Sequence, residues 1–455
     1  MSTNWNRPIS RRRLLSGAAG AGAAAMFAPI RLLAAPARAQ AVSFTGPLPA
    51  TQFDAGVPTA WFDLVQRLVR GTPGYSPPVA SRALGCLGVG LYESVAPGMP
   101  DHVSLASTLH DLPPMPPARG AGYHWPSVAN ATLATMARSL FPTAPETLRG
   151  EIDSLEARLS EQVPPGILRR SIERGREVAA SVDGWARGDG GHEGYLRNFP
   201  SSYAPPSGPD KWVPTAPGYL PALQPYWGGN RPMAIDNALA CDPGAPPAFS
   251  TDPASAFFAE AREVYETVNG LTPEQREIAL FWSDDPGQTA TPPGHSASIL
   301  GQVLRADDRS LADAAVGYAR MGIAVCDAFI ACWRVKFIHN LVRPISYIRS
   351  EIDPAWGDPL PVTTPPFPEY TSGHSVQSAA AAEVLTATFG TVAFTDHTHD
   401  ARGLAPRSFG SFNAFAQEAA ISRLYGGIHF RSAIERGLEQ GRCIGTAVAA
   451  LPLRG

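Results

Sequence analysis

Charged side chains are scarce in this chain. Asp, Glu, Lys and Arg together make up 17% of 455 residues, against roughly a quarter in an average soluble protein. That shortage excludes a coiled coil and a charge-rich disordered chain. Cysteine is also sparse. The five (86, 241, 326, 332 and 443) form no CxxC pair, which excludes a zinc ribbon as the organising device. Cys326 and Cys332 lie in a dense apolar run and read as core thiols, and nothing in the spacing demands a disulfide. Alternating apolar and polar runs that would mark strands are rare. No stretch beyond the N-terminal segment is long and apolar enough to cross a membrane, and that segment's own apolar run, Gly17 to Ile30, falls short of the roughly 20 residues a spanning helix needs. GxSxG, P-loop and HExxH patterns are absent after residue 39. Pro and Gly, by contrast, are abundant at 46 and 43. With 44% hydrophobic residues the chain can bury a large core without metals or disulfides, joined by stiff, Pro-bearing connections.

The net charge of −3 argues against a general nucleic-acid binder, and it conceals an asymmetry. Residues 1–39 carry six Arg (7, 11, 12, 13, 31 and 38) and no acid. Without them 31 basic side chains face 40 acidic ones, a charge of −9. Ser10-Arg11-Arg12-Arg13-Leu14-Leu15, the Ala/Gly-rich apolar run behind it and the small-x-small site at Ala37-Arg38-Ala39 read as a twin-arginine signal peptide. The expectation is an acidic protein exported folded, by the twin-arginine machinery, to the periplasm or the medium.

The remainder reads as all-α. Residues 40–245 form an N-terminal helical region with a long loop, and 246–455 a helical core. Apolar spacing predicts helices near 58–70, 79–96, 126–141, 145–161, 166–187, 253–268, 273–283, 310–340, from about 374, and at 412–425 and 432–449. Ser310-x-x-Asp313 and Ser432-x-x-Glu435 look like capping boxes. Between 188 and 247 the pattern lapses into a Pro/Gly/aromatic stretch, too long for a bare connection; Trp212, Tyr219, Tyr226 and Trp227 suggest that it packs over the body.

Three segments concentrate the chemistry. In Trp333-Arg334-Val335-Lys336 through Arg343-Pro344 the two cations are seven residues apart, two helical turns, on nearly one face, with Pro344 ending the helix. Phe367-Pro368-Glu369-Tyr370-Thr371-Ser372-Gly373-His374 runs into an Ala-rich helix, so Ser372, the Gly373 N–H and His374 stand at a helix N-terminus, where free N–H groups favour an anion. In Ser422-Arg423-Leu424-Tyr425-Gly426-Gly427-Ile428-His429 the glycine pair breaks the helix and lets Arg423 and His429 turn towards one point. Three cations, a hydroxyl and helix-terminal N–H groups describe a site for a tetrahedral oxyanion, with two histidines as nucleophile or ligand and as acid/base.

The ordered set K-x6-RP, SGH and SR-x5-H resembles that of the vanadium-dependent haloperoxidase and type 2 phosphatidic acid phosphatase superfamily. The likeness extends through FWSDDPGQTATPPGH (281–295) and 404–443, covers roughly 255–449, and points to the exported bacterial haloperoxidase-like branch. It implies helical bundles with long Pro-rich loops and a histidine-bound vanadate, in whose place phosphate can sit. Lys336, Arg343, Arg423, Ser372 and the Gly373 N–H would hold the oxygens, His429 the vanadium, and His374 would act as acid/base. Trp333 and Phe367 match bulky pocket residues of the chloroperoxidase type, and Asp285 the acid that pairs with Arg423. Hydrogen peroxide, halide and an organic acceptor would be the partners. The same trio would serve a soluble phosphatase acting on a phosphate ester through phosphohistidine, or a non-catalytic oxyanion binder.

Two positions depart from the pattern. Thr371 replaces a Pro before Ser372. Ala433 stands four after His429, where an Asp normally orients the histidine and raises its basicity; a backbone carbonyl or Glu435 is left to substitute. Asp396-His397-Thr398-His399-Asp400 could be read as a metal cluster, but its polar surroundings favour a solvated loop. His295 and His339 read as structural.

Overall fold

A computed structural model describes residues 48–119, 122–160, 163–357 and 360–455; the twin-arginine segment and its cleavage site lie outside them. Residues 45–455 form one unit. Its first half contributes α1 (Gly56–Gly71), α2 (Pro77–Val95), α3 (Trp125–Leu140), α4 (Glu146–Arg158) and α5 (Pro165–Arg187). Then come α6 (Ala256–Asn269), α7 (Pro273–Phe281), α8 (Thr291–Ala306), α9 (Leu311–His339), α10 (Pro344–Glu351), α11 (Gly373–Phe389), α12 (Phe412–Tyr425) and α13 (Arg431–Ala449). The only sheet among the described residues is a two-stranded antiparallel ribbon of β1 (Phe394–Asp396) and β2 (Arg407–Phe409). The protein is all-α, as the apolar spacing indicated.

The axis of the fold is α9, 29 residues long and buried along almost its whole length. Its start is set by Ser310 and Asp313, which form the expected capping box. Helix α2 lies against α9 closely enough that a Cβ on Gly88 or Gly322 would strike the facing backbone. On the other side α11 packs on α9 and on α13. Gly437, Gly441 and Gly445, four apart on α13, present a flat stripe to α11. Ser372 and the segment of His429 are thereby brought side by side at neighbouring helix starts.

Three local expectations change. Helices α8 and α10 are not among those expected, and both open on Pro at their first turn. Pro344 therefore begins a helix rather than ending one, as its fixed φ and missing N–H allow. Helix α9 already stops at His339, where Asn340 turns left-handed at φ 48. Ser432 caps nothing: α13 starts from Phe430 without a side-chain cap, and the Ser432 hydroxyl donates to Glu260 at 2.7 Å.

The long stretch 188–247 is tied down at several points. Trp212 N–H donates to Asn340 O at 2.7 Å and Val342 N–H to Asp210 O at 2.9 Å. Buried Asp327 of α9 accepts from the N–H groups of Met233, Ala234 and Ile235 at 2.6, 2.8 and 3.0 Å. A Cys241–Cys443 disulfide fastens the far end to α13, a link the cysteine spacing did not reveal. Cys86, Cys326 and Cys332 are buried free thiols. Of the four aromatics, Trp212 and Trp227 are buried while Tyr219 and Tyr226 stand exposed.

Candidate active site

Lys336, near the C-terminal end of α9, is fully buried, and its Nζ donates to Pro368 O and Glu369 O, each at 2.9 Å. Arg343 does not share that helix. It sits in extended backbone immediately before α10, and reaches the same place because the turn at Asn340 redirects the chain. Its Nε donates to Phe367 O and its Nη1 to Ile428 O, both at 2.8 Å. Arg423, in the last turn of α12, donates from Nη1 to Trp282 O at 2.8 Å. Main-chain carbonyls thus fix all three cations in direction without cancelling their charge.

The consequence is visible in the groups left over. Arg343 Nη2 and Arg423 Nε and Nη2 are buried donors with no partner. Burial pushes Lys336 down to about 7, Arg343 to about 9 and Arg423 to about 10. Cations held this dry, with unsatisfied N–H groups aimed inward, fit an oxyanion: it would satisfy the donors and restore the charge balance that burial disfavours. The N-terminus of α11 adds to the same point. Ser372 is its N-cap, Gly373 is the first helical residue, and Ser375 Oγ is a further unpartnered buried group.

His429 lies in the Gly426–Phe430 turn between α12 and α13. Its Nδ1 faces Glu369 Oε1 at 2.8 Å, and its Nε2 is 3.3 Å from Arg343 Nη1. A guanidinium only donates, so Nε2 carries the lone pair and Nδ1 the proton. That is the tautomer in which Nε2 could bind a metal centre. Glu369 was not foreseen; it supplies the orienting carboxylate that Ala433 removes from its usual place. Glu435 has no contact of this kind. Glu369 Oε1 also accepts the Phe430 N–H at 2.9 Å, so it fixes ring and backbone together. Burial pushes Glu369 up to about 8, against the pull of Arg343 and Lys336, and Oε1 accepts in either protonation state. Ala433 keeps a part of its own, since its carbonyl accepts the Ser372 N–H at 3.0 Å. The Thr371 substitution is accommodated: its hydroxyl donates to Gln440 Oε1 at 2.7 Å.

His374 Nε2 is 3.0 Å from Arg423 Nη1 and accepts from it. Burial first, and Arg423 second, hold this imidazole well below its ordinary range, so it is neutral. Trp333 and Phe367 lie 4.9 Å apart, centroid to centroid, and cap the cations: Lys336 Nζ is 5.1 Å and Arg343 Cζ 4.9 Å from the Phe367 ring. Asp285 does not close an ion pair with Arg423. It lines the cavity and opposes that charge through space, because Arg423 has turned Nη1 to Trp282 and His374.

Behind this wall stands a second buried group, which joins His295, read as structural, to Asp396 and His399, expected in a solvated loop. His295 is held between Asp284 Oδ2 at 2.8 Å and Asp396 Oδ2 at 2.7 Å, and His399 Nε2 is 3.4 Å from Asp284 Oδ1. Burial alone would push His295 down, but the two carboxylates outweigh it and raise the ring to about 10. The pair of histidines is recognisable only once β1 delivers Asp396 to α8. Asp284, His295 and His399 each bring one ligand atom within 4.8 Å of the others, a spacing a metal ion could span. Both nitrogens of His295 already face carboxylates, however, and a proton accounts for that without a metal. His397 points away and pairs with Asp400 on the surface.

A cavity of about 700 Å3 opens onto the first group, with His374, Arg423 and His429 at its floor. Among the described residues no helix is long and apolar enough to cross a membrane.

Residues 317–453 match the family described as the VCPO second helical-bundle domain. The vanadium chloroperoxidase of Curvularia inaequalis is 28% identical over 137 residues, 25% of this chain and 22% of that protein's length. A solved bacterial vanadium-dependent iodoperoxidase superposes with a TM-score of 0.80 at 36% identity, over 88% of this chain and 96% of that one. A bacterial vanadium-dependent chloroperoxidase shares the fold, with a TM-score of 0.66 at 15% identity over 84% and 93% of the two chains. With more than a third of residues identical across nearly the whole of a solved member, this chain belongs to the vanadium-dependent haloperoxidase family.

Proposed function

We propose that the protein oxidises halide with hydrogen peroxide at a vanadate held in the Lys336–Arg343–Arg423 cradle. The observation that carries this reading is the set of buried, unpartnered guanidinium donors on Arg343 and Arg423, with Arg343 in contact with His429. Lys336, Arg343 and Arg423 would hold the vanadate oxygens, with the Ser372 hydroxyl and the Gly373 N–H beside them. His429 Nε2 would be the ligand to vanadium, and Glu369 keeps the proton on Nδ1. Bound there, vanadate supplies the Lewis acid that polarises peroxide towards attack by halide. His374, neutral and next to Arg423, would be the acid/base group beside incoming peroxide. Trp333 and Phe367 keep bulk water off the cations, which strengthens each of their interactions with the anion. Iodide, the most easily oxidised of the common halides, is the first choice, since the relative at 36% identity is named for it.

The test is vanadate titration of the purified protein followed by triiodide formation from iodide and peroxide. His429→Ala should lower that rate by a factor on the order of 10² or more, the scale of losing one transition-state contact in a closed site. Undiminished oxidation by His429→Ala would overturn the assignment.

We further infer that the chain is exported by the twin-arginine route to the periplasm or medium. The Arg11-Arg12-Arg13 motif supports this, as does the Cys241–Cys443 disulfide, of a kind rare in a reducing cytosol. Export lost on replacing Arg12 and Arg13 by Lys, followed by cell fractionation, checks it; unchanged export would refute it.

A further inference from the structure

Halide and peroxide are too small for the cavity they would enter. A water-sized molecule takes about 30 Å3 of liquid, so the two together fill roughly 100 Å3. The cavity measures about 700 Å3, within the range of roughly 300–1,000 Å3 of sites that hold organic ligands. Its walls are largely apolar, formed by Tyr75, Leu223, Val362 and Pro366 on the way down to Phe367 and Ile428. Charged side chains appear only at its depth and along one edge.

The mouth has the same character. Phe199, Tyr219 and Leu220 border it, and they are 44%, 66% and 48% exposed, an uncommon concentration of bare apolar surface beside a polar site. Tyr219 is held in the left-handed region at φ 44, a conformation a bulky residue adopts only when its surroundings impose it. The segment that carries Tyr219 and Leu220 is not loose: Leu223 N–H donates to Pro366 O at 2.8 Å, and Leu223 O accepts from Trp333 Nε1 at 3.2 Å. The rim is therefore fixed to the residue that caps the cradle.

We propose that this funnel binds a neutral, apolar, electron-rich aromatic acceptor and that halogen transfer takes place on the bound molecule. The proposal rests on the haloperoxidase reading above. Peroxide's O–O bond breaks as its oxygens are reduced, and halide gives up two electrons, one proton being consumed to form hypohalous acid and water. The halogen then bonds to the acceptor's carbon. The C–H bond breaks with its electron pair left in the ring, and the proton joins the departing hydroxide to give a second water. Charge is appropriate at both ends: an uncharged ring pays no desolvation penalty on the apolar walls, while its reactive edge meets the oxidised halogen at the floor.

The experiment gives the vanadate-loaded full-length protein an equal mixture of 2-naphthol and a small hydrophilic dione, with bromide and peroxide. The ratio of brominated products is compared with that from added hypobromite. The enzyme should favour naphthol over the hypobromite ratio by at least about tenfold, the discrimination an apolar pocket can supply. A Phe199→Ser/Tyr219→Ser/Leu220→Ser variant, altered only at exposed positions outside the cradle, should return to the hypobromite ratio. Its bromide oxidation, read with excess dione, should be unchanged. Calorimetric titration of 2-naphthol into vanadate-free protein should show saturable binding that the variant weakens. Oxidation that proceeds with the hypobromite ratio, or naphthol that fails to bind, overturns the funnel proposal and leaves the haloperoxidase reading intact. No halide oxidation in any arm overturns that reading instead.

Discussion

Two buried groups of ionisable side chains lie back to back, and they are finished differently. The Asp284–His295–Asp396 group carries its own counter-charge: an imidazolium bonded to two carboxylates at 2.8 and 2.7 Å, with Asp284 Oδ1 and His399 Nε2 beside it left without a hydrogen bond. The Lys336–Arg343–Arg423 group is left open, with cations directed by carbonyls and several N–H groups partnerless. Burial costs are similar in the two places. What differs is whether the compensating charge belongs to the protein or arrives with a ligand. Closure marks a structural device, and deliberate incompleteness marks a binding site.

The sharpest way to break this contrast is to open the closed group. Asp396→Ala leaves a buried imidazolium half paired, and should cost about 3–5 kcal/mol of stability, measured by urea unfolding. Removing a cation from the open group should do the reverse. Arg343→Met should lower vanadate affinity by a factor on the order of 10² while the vanadate-free protein melts no lower than the parent, because a buried and unpaired charge has gone. Equilibrium titration and calorimetry on the same sample test both halves. Glu369→Gln keeps an acceptor for His429 but removes the group that can ionise behind it. Vanadate affinity should fall by about 10–100-fold, the usual cost of altering a carboxylate behind a metal-ligating histidine, with the fold retained.

The gentlest probe is pH. His295 is raised to about 10 in the fold, so its contribution is complete below its unfolded value near 6.5 and is lost as pH climbs through 10. Asp396 is lowered to about 2. Its contribution is present above about 3.8 and lost as pH falls through 2. Urea midpoints of the parent should therefore decline between pH 7 and 10 relative to those of His295→Gln. Parallel declines would remove the imidazolium from the account.

Much of the open group was legible from residue order, because each short segment carries its own cation or histidine next to a helix-breaking or helix-starting residue. The route was misread at Arg343, where seven-residue spacing suggested one helix. Asn340 and Pro344 in fact divide it, and the two cations meet by a change of direction. Glu369 was hidden because it serves His429 from 60 residues away, beyond any local pattern. The closed group was hidden for the same reason: Asp284 and His295 lie about a hundred residues before Asp396 and His399, and a polar sequence such as DHTHD gives no sign that a strand will bury it. The Cys241–Cys443 link likewise joins positions 202 residues apart.

Two of the cradle's three cations, Lys336 and Arg343, hang from three consecutive carbonyls, those of Phe367, Pro368 and Glu369. A carbonyl is the same whatever side chain its residue carries. The side chain at 367 can therefore be exchanged to reshape the cavity wall, while the backbone beneath continues to aim Lys336 and Arg343. Selectivity and anion capture are in this way separately heritable: a lineage could try new acceptors by single substitutions without first surrendering its reaction.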